Sequence, residues 1–203
     1  ATSTLSKDET VIMFNEDAKE LILNVDGGHV KTTEDKRSIE VMTSVIYRPE
    51  AIQSNKKGTR NILTSEHCAA SVQNDNQREI ITNTIVAALK EGIGENTHVT
   101  ALSDGADNCW NVIDAIKPFA GSMTSILDWF HIAMKFQNTR LGQDDLNTRL
   151  SGAKWYLWHG LPDKAIERLR LIRDDLKKDK KQQTKVQLLL TYIENNSNYI
   201  VNY

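Results

Sequence analysis

Two aspartates in this chain follow apolar residues and are followed at once by glycine: Asp26 in LILNVDGGHV and Asp104 in ALSDGADNCW. In α/β sheets, functional side chains gather where strands open onto loops at their carboxyl ends. Two carboxylates brought together there suit Mg²⁺, or Mn²⁺ in its place, because Mg²⁺ keeps several waters and seldom takes a full protein cage. A pair of such ions activates a nucleophile and stabilises the leaving oxygen of a phosphodiester. Glycine after each aspartate permits a sharp turn and leaves room for a substrate. Asp-Gly is also a common turn dipeptide, so loop capping and metal holding both stand for either residue taken alone.

A third group follows in SILDWFHIAMK, where Asp128, His131 and Lys135 are spaced i, i+3 and i+7 and share one helix face. Trp129, Phe130, Ala133, Met134 and Phe136 fall largely elsewhere and are available for packing. A carboxylate, an imidazole and an ammonium along one face could reach a metal, a phosphate or a DNA backbone. The residue chemistry of Asp128 favours a simpler role, capping the helix and complementing its dipole. His131 is harder to explain as a cap, although a single histidine on a helix is more often structural than catalytic.

The elements that must position these residues are legible from the apolar pattern. ELILNVD reads as a strand buried on both faces and ending at Asp26, with SIEVMTSVIY and NILTSEHCAASV as further strands antiparallel to it. DNQREIITNTIVAALKEG places Ile81, Ile85, Ala88 and Leu89 at helical spacing, with Asp75 as a cap and Gly92 as a stop. HVTALSD, NCWNVIDAIKPF, SMTSILD and WFHIAMKFQNTRL then alternate strand and helix. Antiparallel strands first and βαβ units afterwards imply a mixed sheet with helices packed on it, the order of the ribonuclease-H-like fold. From about residue 141 the pattern is helical. Ile166, Leu169, Ile172 and Leu176 form one stripe and Val186, Leu189, Leu190 and Ile193 another, with KKDKKQQTK between them as a basic linker. The expected organisation is an N-terminal segment at 1–20, whose VIMF run is an edge strand or loose, a core at 21–140 and a helical segment at 141–203.

At 203 residues, 39% hydrophobic and 26% charged, the composition is that of an ordinary folded chain. No apolar run approaches the roughly eighteen residues of a membrane span, and no signal-peptide pattern opens the sequence. Cys68 and Cys109 have no metal-site spacing, so a reducing cytoplasmic setting is expected. A net charge of -2 argues against binding nucleic acid with the whole surface. The charge is uneven, however: residues 141–203 hold 11 Lys and Arg against 8 Asp and Glu, and the rest hold 14 against 19.

VDGGHVK, ALSDGADNCW, SILDWFHIAMK and WYLWHGLPDKAIERL, taken in order, resemble bacterial insertion-sequence transposases of the ISKra type, from about residue 20 onward. These are DDE transposases related to the Mutator-like and hAT groups. The resemblance implies an α/β, RNase-H-like mixed sheet flanked by helices, with a C-terminal all-helical insertion. It implies metal-dependent DNA cleavage and strand transfer by a homo-oligomer on DNA, at element ends and target. On that likeness Asp26 and Asp104 match the first two metal-binding aspartates, and Asp128 with His131 the D-x-x-H pattern beside the active site. Trp155, Trp158 and His159 fall in the insertion, where aromatic rings could stack on distorted bases or simply pack, and Lys135 could join them on DNA.

The third acid of that family is a glutamate after the insertion. Here Glu194 is the late glutamate, and YIENNSN does not match the family's motif. The chain is therefore expected to be a fragment or truncated copy, and a remnant that folds and binds DNA or a partner without cleavage is the alternative. A more distant alternative is an actin-like or sugar-kinase-like ATPase, for which VDGG would be a phosphate turn, without the partner loop such a site requires.

Overall fold

The structure, a computed structural model, describes residues 17–31, 33, 38–55 and 57–203, so the VIMF run lies outside the described residues. Strand β1 (Glu20–Lys31) buries Leu21, Leu23 and Val25, with Ile22 and Asn24 half-buried between them. It does not end at Asp26. It pairs antiparallel with β2 (Ser38–Tyr47) without a break from Ile22 opposite Tyr47 to Lys31 opposite Ser38, and Asp26 faces Thr43 across the ladder. The expected turn at Asp26–Gly28 is thereby corrected. The β2 backbone satisfies this stretch, so both glycines continue the strand.

The stretch after β2 is divided where one long strand was expected. β3 (Ile52–Ser54) and β4 (Asn61–Leu63) form a separate two-stranded sheet, and β5 (His67–Ser71) pairs with β2. The hairpin forms because the Asn55 side chain accepts the backbone N–H groups of Lys57 and Thr59, at 3.2 and 3.0 Å. Gly58, at φ +64°, completes the reversal.

Helix α1 (Arg78–Glu91) starts where Asp75 Oδ2 accepts the Glu79 N–H at 2.9 Å and ends at Gly92, φ +87°. Its buried face matches the one expected from hydropathy at Ala88, with Ile81 and Ile85 half-buried. Ile80, Thr84, Ala87, Ala88 and Glu91 are buried, whereas Leu89 is exposed. Two polar residues turn inward because the sheet supplies partners: Thr84 Oγ1 meets Ser44 Oγ at 2.7 Å, and Glu91 Oε1 meets His67 Nδ1 at 2.6 Å.

β6 (His98–Ser103), α2 (Asp107–Ile116) and β7 (Ser122–Leu127) follow as the alternation predicts. The main sheet has five strands in the order β5-β2-β1-β6-β7. The antiparallel strands come first and the helical crossovers afterwards, giving an RNase-H-like mixed α/β sheet flanked by helices.

The chain divides into two compact units. One holds the described residues up to Ala101 together with Asn111–Thr124; the other holds Leu102–Trp110 and Ser125–Tyr203. The second unit takes the ends of β6 and β7 and the helices α3 (Trp129–Asn138), α4 (Asp144–Trp158), α5 (Pro162–Asp175) and α6 (Lys180–Asn195). The stripes expected on α5 and α6 are all buried. Proline at the first position of α5 costs no hydrogen bond there. α6 reaches back into the expected basic linker because Asp179 caps it, accepting the Gln182 N–H at 3.1 Å. Hydrogen bonds from the Gln182 side chain and backbone hold the Asp179 carboxyl below its usual range. Among the described residues, no helix is long and apolar enough to cross a membrane.

Candidate functional site

Asp104 directly follows β6 and Asp128 directly follows β7, so both stand at carboxyl ends of strands. The two strand ends are joined: the Asp128 N–H donates to the carbonyl of Ser103 at 2.8 Å. Asp104 Oδ1 accepts the Ala106 N–H at 2.8 Å, closing a tight turn. Gly105 makes that turn at φ +90°, and a Cβ there would come within 2.8 Å of Leu127 Cδ1 and 3.0 Å of the Asn196 amide. Only glycine fits both the conformation and the space.

Asp128 is the N-cap of α3, with extended backbone and Oδ1 accepting the Phe130 N–H at 3.0 Å. The capping role expected from residue chemistry is thus met. Its second oxygen, Oδ2, stands 3.6 Å from His131 Nε2 one turn along the helix. Both side chains are partly exposed, Asp128 at 33% and His131 at 20%. Each aspartate therefore has one oxygen fixed by a local backbone N–H.

Two tyrosines, not foreseen from the sequence, complete this neighbourhood. Tyr192 on α6 donates its hydroxyl to the Asp104 carbonyl at 2.8 Å. Tyr203 donates its hydroxyl to the Leu127 carbonyl at 2.5 Å, one residue before Asp128. Burial, then the charge of Asp104, then Tyr203 and Asp128 push the Tyr192 phenol well above its ordinary value. Burial and the charge of Asp128 do the same to Tyr203. The carboxylates and phenols thus share one electrostatic neighbourhood. Behind it, Asn196 is buried, accepting Trp110 Nε1–H at 2.9 Å and donating to the Tyr192 carbonyl at 3.0 Å. Trp110 stacks on Tyr199 with ring centroids 4.1 Å apart.

The other expected residues are distributed as follows. Asp26 belongs to the first unit, exposed within β1, with Oδ1 accepting the Gly27 N–H at 2.9 Å. Lys135 Nζ lies 4.9 Å from the centre of the Tyr192 ring, a cation-π contact at the edge of the neighbourhood. Trp158 is half-buried in an aromatic cluster, 4.8 Å from Trp129 and 6.1 Å from Tyr203 between ring centroids. Trp155 is 59% exposed, with the His159 ring near perpendicular to it at 4.9 Å and the parallel ring of Trp158 at 6.4 Å. Glu194, two residues beyond Tyr192, is committed to Arg170 at 2.6 Å.

Among the described residues, no three His, Cys, Asp or Glu side chains gather as a closed metal cage would require. What the second unit brings together is a pair of strand-end carboxylates, an imidazole and two phenols that hold the strand ends. Carboxylate oxygens are hard donors suited to a divalent cation, and an imidazole nitrogen is a side-chain group able to accept a proton. No protein-family model and no curated protein sequence matches the chain.

Proposed function

We propose that the chain is the catalytic core of a DDE-type DNA transposase that cleaves DNA and transfers strands with Mg²⁺, in a cytoplasmic setting and as a homo-oligomer on DNA. The observation that carries this reading is the placement of Asp104 and Asp128 at the carboxyl ends of β6 and β7, on an RNase-H-like sheet. The resemblance of the sequence motifs supplies the reaction class.

The donor chemistry fits the ion. Asp104 keeps lone pairs beyond the one fixed by Ala106, and Asp26 keeps lone pairs beyond the one fixed by Gly27. On the likeness of the motifs each of these carboxylates would be a metal ligand, with waters and phosphate oxygens completing a shell. When bound, Mg²⁺ supplies charge stabilisation at the phosphorus and lowers the pKa of the attacking water. In hydrolysis, water oxygen bonds to phosphorus, the P–O3′ bond breaks and the departing 3′-oxygen takes a proton. In transfer, that 3′-hydroxyl loses its proton and its oxygen bonds to a target phosphorus, the target P–O3′ bond breaks and the departing 3′-oxygen takes a proton.

Asp128 keeps α3 seated beside His131, and His131 is the group we assign to receive a proton of the attacking hydroxyl. Lys135 and the exposed face of Trp155 offer an ammonium to phosphate and a stacking surface to a base. Trp158 supports them from within the aromatic cluster, and the His159 ring stands near perpendicular to that of Trp155.

A second reading follows from Glu194. Its ion pair with Arg170 commits the late glutamate elsewhere, which favours a chain that binds DNA without cutting it. The two separate in one assay, nicking of supercoiled plasmid DNA with Mn²⁺. The transposase reading expects nicks from the wild-type chain and at least tenfold fewer from Asp104→Asn. Retarded but intact plasmid with the wild-type chain would leave the non-cleaving reading standing.

A further inference from the structure

Resting on that reading, we infer that Tyr192 and Tyr203 are positioning residues whose hydroxyls fasten the two strand ends bearing Asp104 and Asp128. The carbonyls at the ends of strands have lost their ladder partners and must find others. The Asp104 carbonyl is taken by Tyr192 at 2.8 Å and the Leu127 carbonyl by Tyr203 at 2.5 Å. Between these anchors runs the direct bond from the Asp128 N–H to the Ser103 carbonyl.

Each tyrosine is itself held. The Tyr192 carbonyl receives the Asn196 amide, whose oxygen is taken by Trp110 Nε1–H, and that amide lies where a Cβ on Gly105 would go. For Tyr203, the backbone N–H donates to the Trp158 carbonyl at 3.0 Å, with Asn202 bridged to His159 and the ring packed against Trp129 and Trp158. The segment from α6 onward thus grips both aspartate-bearing turns through one hydroxyl each. A carboxylate that must receive a metal, and one that must orient an imidazole, are useful only if their backbones are fixed beforehand. Here the fixing groups are phenols kept neutral by burial and by the same carboxylates.

The test compares Tyr192→Phe and Tyr203→Phe with Tyr199→Phe, which keeps the stack on Trp110 and lies outside the brace. Each substitution removes one oxygen. Amide hydrogen exchange should quicken at Gly105 and Ala106 in Tyr192→Phe and at Asp128 and Phe130 in Tyr203→Phe. Amides of α5 should keep their rates, and Tyr199→Phe should exchange like the wild type. Mn²⁺ affinity, titrated without DNA, should weaken about three- to tenfold in Tyr192→Phe, which frees the Asp104 turn, the scale of one lost hydrogen bond. Unchanged exchange at those amides, or a uniform rise that includes α5, would overturn the brace. Mn²⁺ binding equal to wild type in Tyr192→Phe would overturn the positioning role of that hydroxyl. A wild-type chain that bound no Mn²⁺ would sink the transposase reading instead, and the exchange pattern alone would then decide the brace.

Discussion

Asp128 carries two duties that substitution can separate. As the N-cap of α3 it needs only a side-chain oxygen for the Phe130 N–H; as a neighbour of His131 it needs its charge. Asp128→Ala should destabilise the fold by about 0.5–2 kcal/mol, the usual cost of losing such a cap. Asp128→Asn should stay within a few tenths of a kcal/mol of wild type, since asparagine caps equally well. Thermal unfolding of the two variants distinguishes these outcomes, and equal losses in both would mean that the charge, not the cap, holds the turn. At this scale the sequence was informative where chemistry is local. Asp104 and Asp128 follow apolar strands and stop them, as their flanking residues suggest. Asp26 follows an equally apolar run but does not stop it, because what continues β1 is a ladder to β2 that no neighbouring residue announces.

The stripes on α5 and α6 were legible because they are apolar throughout, and apolar side chains have one favourable destination. The buried face of α1 was legible only in part, for the opposite reason. Thr84 and Glu91 look solvent-facing until Ser44 and His67 are placed opposite them. The β3–β4 hairpin went unread because Ile52, Ile62 and Leu63 stay exposed and give no alternation to follow. α6 does more than fill space, since it brings Tyr192 to the Asp104 turn, and this has a consequence at high pH. The Tyr192 phenol is raised above its ordinary value near 10, so the unfolded chain releases that proton before the folded chain does. Its contribution to stability is complete below about pH 10 and is lost as pH rises beyond it. Denaturant unfolding between pH 8 and 11.5 should show stability falling above pH 10, with a shallower fall in Tyr192→Phe. Parallel curves for the two proteins would remove Tyr192 as the cause.

Across the whole chain, the mixed sheet was readable because antiparallel strands followed by helical crossovers allow few topologies. The ties that hold the strand ends were not readable. Tyr192 reaches a carbonyl 88 positions away and Tyr203 one 76 positions away, and no local spacing encodes such a bond. The aspartates are therefore announced by their own flanking residues, whereas the groups that fix them come from the distant end of the described chain. We propose Asp26 and Asp104 as metal-holding carboxylates. Calorimetric titration of Mn²⁺ into the wild-type chain, Asp26→Asn and Asp104→Asn tests it most directly. Saturable binding to the wild type is expected, weakened at least tenfold by either substitution in a chain that still unfolds cooperatively. Wild-type affinity in both variants would contradict it.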